Sequence, residues 1–260
     1  MKESFRVLVM GLPGAGKTTL ARALAATIPH SIHLNADVVR ALARDWDFSE
    51  EGRLRQAARM RDAANKYPGG VAIADFVCPT AETRAAFAPH YTIFMDTIDA
   101  GRFADTNAVF ERPEYADAIV RQWVDYDKGM GVWGIGDEIR QRRPQGMMLG
   151  RYQPFHGGHH ALFEQILERT GFVNVMVRNM PRDAKNPLGF DEVQRRIREK
   201  LDGDHAGRYI VTQANNISGI YYGRDVGYKV EQIELPEHIK AISATAVRAE
   251  QGIKLEANVS

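Results

Sequence analysis

The sequence has one cysteine, no long apolar run and almost no net charge, and each shortage excludes a class of protein. Cys78 has no second cysteine to pair with, which excludes an intrachain disulfide framework and fits the reducing cytoplasm, where we expect the protein to be located. No apolar run approaches the ~20 residues of a transmembrane helix, so a membrane partner is not expected. The formal net charge of +1 gives no electrostatic reason to expect binding to nucleic acid or to an anionic membrane.

What remains is the composition of an ordinary globular protein. The 260 residues are 44% hydrophobic and 26% charged, which is enough to build one large domain or two small ones. The composition is compatible with a homo-oligomer, and small-molecule substrates are the binding partners that two phosphate-binding motifs lead us to expect.

Short apolar runs alternate with amphipathic helical patterns in the first half of the chain. The first run, 5–11, ends in a glycine-lysine loop without a convincing cleavage site, so we interpret it as a β-strand and not as a signal peptide. The predicted strands are 5–11, 31–35, 71–77, 90–97 and 117–124, and the predicted helices are 17–28, 36–46, 50–67 and 134–142. This alternation predicts an α/β fold with a mostly parallel sheet flanked by helices.

The stretch RPQG at 143–146 interrupts the alternation, which then starts again. The predicted strands of the second half are 147–150, 173–179, 208–214 and 218–224, and its predicted helices are 159–170, 190–201 and 243–252. We therefore predict two domains, 1–143 and 147–260, the second being a small Rossmann-like α/β unit.

The stretch GLPGAGKTTLA at 11–21 satisfies the phosphate-binding pattern G-x-x-x-x-G-K-[ST], with a strand before it and a helix after it. Its glycines let successive backbone N–H groups surround phosphate oxygens. Lys17 is placed to reach the β- and γ-phosphates of ATP, and the Thr18 hydroxyl to ligate Mg²⁺. The predicted nucleotide-binding residues of this loop are Gly11, Gly14, Gly16, Lys17, Thr18 and Thr19.

Four further segments resemble motifs of adenylylsulfate (APS) kinases. They are LNADVVR at 34–40, FSEEGRLRQAAR at 48–59, FVCPTAETR at 76–84 and ERPEYADAIV at 111–120. The resemblance covers roughly residues 5–142. It implies a P-loop kinase that transfers a phosphoryl group from ATP, with Mg²⁺, to a hydroxyl group.

The same resemblance implies roles for individual residues. Asp37 is expected to orient the acceptor hydroxyl or to help hold Mg²⁺, the alternative being that it caps a helix. Arg40, Arg53 and Arg84 are expected to clamp an anionic acceptor, since a guanidinium matches phosphate bidentately, although each is alternatively a surface charge. Phe48 and Phe103 are candidates to stack on an acceptor base, and the alternative for each is a place in the core.

The departures from the family pattern concern the acceptor. Asn35 stands where the family has aspartate, Ala58 replaces an arginine and Cys78 replaces a serine. The lysine-bearing lid of the family is missing, and IDAGRFADTNAVF occupies that region. A small-molecule kinase is therefore a better interpretation than an APS kinase.

In the second half, GRYQPFHGGH at 150–159 resembles the G-R-F-Q-P-F-H-x-G-H signature of nucleotidylyltransferases. His156 and His159 share one face at a helix start, where they can donate hydrogen bonds to a triphosphate and stabilise charge that grows on the α-phosphate. The alternative for an isolated H-x-x-H is a metal-binding pair. The neighbouring His160 is interpreted as a surface residue.

Three more segments support this resemblance. The I-S-x-T-x-x-R motif of the same family is matched by ISATAVR at 242–248. A similarity to nicotinamide mononucleotide (NMN) adenylyltransferases of the archaeal and nudix-fused type is found in PRDAKNPLGFDEVQRRI at 181–197. The nucleotide-side loop of those enzymes resembles IYYGRDVGY at 220–228. The implied nucleotide-binding residues are Gly150, Arg151, His156, Gly158, His159, Asp225, Ser243, Thr245 and Arg248. Lys185 and Asn186 are the implied acceptor-binding residues.

The whole sequence thus predicts a bifunctional transferase, in which the product of a kinase becomes the substrate of an adenylyltransferase. The predicted catalytic residues are Lys17, Asp37, His156, His159 and Arg248. Three alternatives stay open at this point: a sulfate-activation enzyme with a sulfurylase-like second domain, a kinase paired with a cytidylyltransferase, and a nucleotide sensor without catalysis.

Overall fold

A computed structural model describes residues 3–123, 132–224, 227 and 229–254, and it divides the chain into two compact units, Met1–Pro144 and Gln145–Ser260. Each unit has its own parallel sheet and its own core. Among the described residues, every helix is too short or too polar to cross a lipid bilayer.

The first unit is a five-stranded parallel sheet in the order β2-β3-β1-β4-β5. The strands are β1 Phe5–Met10, β2 Ser31–Asn35, β3 Val71–Asp75, β4 Tyr91–Met95 and β5 Ala118–Val120. The helices are α1 Lys17–Thr27, α2 Ala36–Ala43, α3 Glu50–Asn65, α4 Ala81–Phe87, α5 Ala104–Val109 and α6 Val132–Arg142. The predicted parallel sheet flanked by helices is confirmed for this half of the chain.

Both faces of this sheet are covered, which explains why β1 is apolar at every position but one. Val7 and Val9 pack with Leu24 of α1 and Ile139 of α6 in one core cluster. Residues of opposite parity in β1, such as Leu8, pack in a second cluster that also contains residues of α3 and α4. A strand buried on both faces is typical of a parallel sheet between two layers of helices.

The second unit is a three-stranded parallel sheet in the order β6-β7-β8. Its elements are β6 Gly146–Gly150, α7 Gly157–Thr170, β7 Val173–Arg178, α8 Phe190–His205, β8 Tyr209–Ala214, α9 Glu237–Lys240 and α10 Ala244–Glu250. In β7 buried valines alternate with half-buried residues, and the valines pack against apolar residues of α7 and α8. One face of this sheet therefore carries the core of the unit.

One strand prediction was too long, and another was wrong. The predicted strand 117–124 is only three residues long, from Ala118 to Val120, and residue 124 lies outside the described residues. The predicted strand 218–224 has no regular secondary structure. Its two tyrosines, Tyr221 and Tyr222, are exposed, so its apolar side chains have no core face to pack against.

Candidate functional sites

The loop between β1 and α1 has the backbone that its three glycines permit. Gly11, Gly14 and Gly16 have φ angles of 144°, 98° and 91°, which disfavour any other residue. A Cβ atom on Gly11 would lie 2.6 Å from the carbonyl oxygen of Met95. Gly16 precedes α1 and provides no side-chain cap. The first N–H groups of α1 are therefore left for an anion, as at phosphate-binding helix N-termini.

Lys17, the first residue of α1, lies half-buried at this loop. Its Nζ donates a hydrogen bond to the carbonyl oxygen of Leu12 at 2.9 Å. Burial lowers the pKa of Lys17 to about 8, and the nearby carboxylates of Asp75 and Asp37 partly oppose that change. The side chain thus stays mostly charged at neutral pH, close to the state that a phosphate ligand would favour.

Asp75 is a buried carboxylate at the centre of the site, and the sequence analysis did not identify it. It ends β3, in register with Val9 of β1 and Asn35 of β2. The Thr18 hydroxyl donates to its Oδ2 atom, His33 Nε2 lies 2.7 Å from its Oδ1 atom, and the Asn35 amide donates to both oxygens at 3.2 Å. The sequence feature that could have identified Asp75 is its position as an acidic residue at the end of the apolar run VAIAD.

The structure excludes one of the roles that the sequence left open for Asp37, that of helix cap. Asn35 caps α2, because its side-chain oxygen accepts hydrogen bonds from the backbone N–H groups of Asp37 at 3.1 Å and Val38 at 3.2 Å. The carboxylate of Asp37 is therefore not the helix cap. It is exposed and lines the cavity beside Lys17.

The oxygen donors at this point suit a magnesium ion. Thr18 offers a hydroxyl, and Asp75 and Asp37 offer carboxylates, which are the hard ligands that Mg²⁺ prefers. The sequence expected Thr18 and Asp37 in this role, and the geometry adds Asp75.

A cavity of about 560 Å³ joins the P-loop to four of the five acceptor residues predicted in this half of the chain. Phe48, Phe103, Arg40 and Arg53 line it. Lining residues that the sequence analysis did not identify as site residues include Trp46, Gln56, Asp75 and Arg102. The residues predicted to bind phosphate and most of those predicted to bind the acceptor in this half thus line one cavity.

Two of the three predicted clamp arginines reach this cavity. Arg40 is buried, its guanidinium lies 4.6 Å from the centre of the Phe48 ring, and it donates to the carbonyl oxygen of Asp47 at 3.0 Å. Arg53 donates to the carbonyl oxygen of Phe48 at 2.8 Å. Both arginines therefore hold the segment that presents the Phe48 ring.

Arg84 does not line the cavity. Its guanidinium donates to the carbonyl oxygens of Cys78, Pro79 and Glu111 at 3.2 to 3.5 Å and lies 3.7 Å from the Glu111 carboxylate. These contacts tie together the loops around α4. The structure therefore gives Arg84 a structural place instead of the predicted contact with an acceptor.

The second unit has a smaller cavity of about 240 Å³, which is lined by five of the eleven site residues predicted for this half of the chain. Its lining residues are Arg151, Tyr152, Gln153, His159, Lys185, Ala244, Thr245 and Arg248. Arg248 donates to the carbonyl oxygen of Gln153 at 2.5 Å and to the Thr245 hydroxyl at 3.1 Å. The first bond connects α10 with the loop after β6, joining residues 95 positions apart in sequence, and the second lies within α10.

The two histidines of the motif lie at the start of α7 with their rings stacked 3.8 Å apart. His156 Nδ1 accepts a hydrogen bond from the backbone N–H of Gly158, and His159 Nδ1 accepts one from the backbone N–H of His156. In the neutral state each ring therefore carries its proton on Nε2. Burial, and then the neighbouring His156, lower the pKa of His159 to about 3, so that ring is a neutral N–H donor at physiological pH.

The remaining predicted residues of the second unit have mixed placements. Ser243 caps α10 through a hydrogen bond from the backbone N–H of Thr245, and Asn186 donates to the Asp183 carboxylate in a tight turn beside Lys185. A Cβ atom on Gly150 would lie 2.7 Å from the Tyr152 ring, and one on Gly158 would lie 3.1 Å from the His156 ring. Asp225 lies outside the described residues.

The P-loop region also matches a known family. Residues 3–98 match the family model described as adenylylsulphate kinase. The first unit is an APS kinase-like P-loop kinase domain. The matched segment contains the P-loop, Asp37 and Asp75, but it ends before Phe103 and before the whole second unit. No curated protein is significantly similar in sequence to the chain.

Solved structures similar to this kinase-like domain include several kinases. The APS kinase CysC of Mycobacterium tuberculosis, in complex with AMPPNP and APS, is 18% identical over 54% of this chain and 99% of its own, with a TM-score of 0.46. A hexameric APS kinase from Thiobacillus denitrificans is 26% identical over 54% of this chain and 29% of its own, with a TM-score of 0.42. The shikimate kinase of Aquifex aeolicus vf5 is 16% identical over 52% of this chain and 96% of its own, with a TM-score of 0.37.

Proposed function

We propose that the first unit transfers the γ-phosphoryl group of ATP to a hydroxyl group of a small anionic acceptor. One observation carries the proposal: the 560 Å³ cavity is lined at once by Lys17 and Thr18 of the P-loop, by the carboxylate of Asp37, and by Phe48 with its two supporting arginines. Donor and acceptor groups held in one cavity satisfy the main need of phosphoryl transfer, which is positioning.

In this mechanism the N–H groups of the P-loop and the Lys17 ammonium hold the β- and γ-phosphates. The acceptor oxygen attacks the γ-phosphorus, its proton passes to the Asp37 carboxylate, and the bond from the γ-phosphorus to the bridging oxygen breaks so that ADP leaves. Bound near Thr18 and Asp75, Mg²⁺ would neutralise charge on the phosphates. The donors from Thr18, His33 and Asn35 fix the carboxylate of Asp75 in place.

Exchanging Lys17 tests this function. Lys17→Ala is expected to abolish ADP formation, because the charge that faces the transferred phosphoryl group is lost, while pyrophosphate release at the second unit stays unchanged. Lys66→Ala, at the exposed lysine that follows the last residue of α3, is the matched control and should keep full activity. If Lys17→Ala loses both reactions, or neither, the result contradicts a kinase site that lies in the first unit and works independently of the second.

APS itself is expected to be a poor acceptor. Arg84, one of three arginines expected to hold the acceptor, is bound to backbone carbonyls, and Asn35, Ala58 and Cys78 replace residues of the family. We expect a kcat/KM for APS below ~10⁴ M⁻¹s⁻¹, the lower end of the usual enzyme range. A coupled ADP assay with APS and with phosphorylated and unphosphorylated nucleosides measures this, and efficient turnover of APS would favour the sulfate-activation alternative.

We further propose that the second unit transfers a nucleotidyl group, most simply adenylyl, to a phosphate monoester. The observation that favours it is the convergence of Arg151, Lys185 and Arg248 with the neutral ring of His159 around one small cavity. A phosphate oxygen of the acceptor attacks the α-phosphorus of the nucleotide, the bond to the β-phosphate oxygen breaks, and pyrophosphate leaves. The protein supplies only positioning and hydrogen-bond donors, and no covalent intermediate is needed.

Release of pyrophosphate with each nucleoside triphosphate decides among the alternatives for this unit. ATP as the preferred substrate with a phosphate monoester supports the proposal. Preference for CTP identifies a cytidylyltransferase, turnover with sulfate identifies a sulfurylase, and nucleotide binding without any turnover identifies a sensor.

A further inference from the structure

We propose that His160, Glu164 and His205 form a site for a divalent transition-metal ion such as Zn²⁺, separate from the nucleotide cavity of the second unit. Ligand atoms of these three residues all lie within 4.8 Å of one another. His160 Nδ1 is 3.8 Å from one carboxylate oxygen of Glu164, and His205 Nε2 is 3.9 Å from the other. The carboxylate thus stands between the two rings.

The ligand set has the chemistry of a known type of zinc site. Two histidines and one glutamate bind Zn²⁺ at about 2.0–2.2 Å, with a fourth position open to water. Such bonds place ligand atoms about 3.4 Å apart in a tetrahedron. Glu164 is 54% exposed, so rotation of its side chain can shorten both carboxylate–histidine distances. The His160 ring, which is 31% exposed, would turn toward His205 to complete that spacing.

His205 gives an independent reason to expect a ligand. Its side chain is only 15% exposed, and its Nε2 atom is buried without a hydrogen-bond partner among the described residues. A buried polar nitrogen that lacks a partner is unfavourable, and metal coordination would satisfy it. The ring is also held in position, since it packs against Phe163 of the core at 5.2 Å.

The sequence explains how the site forms. His160 and Glu164 are four residues apart on α7, so they share one face of the helix, and His205 is the last residue of α8. His159 packs against Tyr152 and Phe155, whereas His160 packs against His205. Adjacent histidines therefore serve two different sites, and the ion would link the two helices that cover the sheet.

Metal binding by the intact chain tests the proposal. The purified protein is stripped with chelator and titrated with Zn²⁺, and with Co²⁺ as a spectroscopic probe, and bound metal is measured by mass spectrometry. We expect one ion per chain, visible Co²⁺ bands that Zn²⁺ abolishes, and a higher Tm with Zn²⁺. Glu164→Gln and His205→Gln should each lower the affinity at least about 100-fold, since losing even a second-shell partner costs 10–100-fold.

Two further variants make the result specific. Glu168→Gln, at an exposed glutamate one turn further along α7, should bind Zn²⁺ like the wild type, and so should His159→Ala. If His205→Gln does not fold, Glu164→Gln at the exposed position still decides. A wild-type chain without stoichiometric metal, equal affinity in Glu164→Gln and Glu168→Gln, or loss of metal only in His159→Ala would each overturn the proposal.

Discussion

At the scale of single residues, Lys17 combines burial with a need for positive charge. Its lowered pKa of about 8 in the free protein means that it begins to lose its proton just above neutral pH. Bound phosphate stabilises the protonated form and raises that pKa, so ATP binding is accompanied by proton uptake above pH 8.

The pH dependence of ATP affinity follows from this linkage. The Kd should be nearly constant below about pH 7.5 and should rise by up to about tenfold per unit above pH 8, where the free lysine is deprotonated. Calorimetric titrations between about pH 7 and pH 9.5 measure it. Lys17→Arg, whose side chain stays charged, should bind ATP with no such rise. A wild-type Kd that is flat through pH 9.5 would show that the pKa is not lowered.

His159 presents the opposite case, a residue expected to act without charge. Its Nε2–H is a preorganised donor beside Arg248, and removing such a donor lowers kcat about 10²–10³-fold. His159→Ala should therefore release pyrophosphate that much more slowly with little change in the KM for nucleotide.

Two controls make this prediction specific. His159→Asn keeps an N–H donor and should recover part of the rate, while His238→Ala, at an exposed histidine of α9, should behave like the wild type. With the pKa of His159 at about 3, the rate should show no histidine titration between about pH 5.5 and pH 7.5. A rate that falls as a group of pKa near 6.5 loses its proton would contradict a neutral donor.

At the scale of elements, the segment between α2 and α3 depends on one arginine. Arg40 donates to the carbonyl oxygens of Asp45 and Asp47 and lies against the Phe48 ring, so it fixes the segment that faces the acceptor. Lysine keeps the charge at this position, but it lacks the planar fork that makes these contacts together.

Arg40→Lys should therefore raise the KM for the acceptor about tenfold and leave the affinity for ATP unchanged. Steady-state kinetics with each substrate varied in turn separates the two effects. Arg44→Lys, an exposed substitution in the same segment, is the matched control and should leave both constants unchanged. An equal loss of affinity for ATP would indicate that the segment supports the P-loop and not the acceptor.

At the scale of the whole molecule, the two compact units are expected to fold separately. Arg143 belongs to the first, because its buried side chain donates to the carbonyl oxygens of Pro29 and Gly69 at 3.0 and 2.9 Å. Gly146 belongs to the second, where its backbone N–H bonds to the carbonyl oxygen of Phe172 and β6 begins.

Fragments 1–144 and 145–260 should thus each show a cooperative unfolding transition. A fragment that ends at Arg142 should be less stable than 1–144 by about 1.5–3 kcal/mol, since it lacks the hydrogen bonds of a charged donor. Thermal and urea unfolding followed by circular dichroism measure both quantities. Aggregation of both fragments, together with one transition for the whole chain, would contradict two domains.

The sequence by itself determined the features that depend on neighbours along the chain. The strands of the first unit, the glycine loop with Lys17 and Thr18, and the stretch from Gly150 to His159 are local patterns, because a buried strand must be apolar and a loop around phosphate needs glycine. The interruption at 143–146 is local in the same way, and it lies at the point where the structure divides into two units.

Only the tertiary structure decided what depends on contacts between distant segments. Asp75 lies in the site because the parallel register places the end of β3 beside Asn35 and the P-loop strand. Arg84 lies outside the cavity because its guanidinium is bound by nearby carbonyl groups. Residues 218–224 contain the strand-favouring run IYY yet have no face to bury. His160 meets His205 only after α7 and α8 pack. Periodicity shows which side chains can be buried, but the pairing of segments decides which partners they meet.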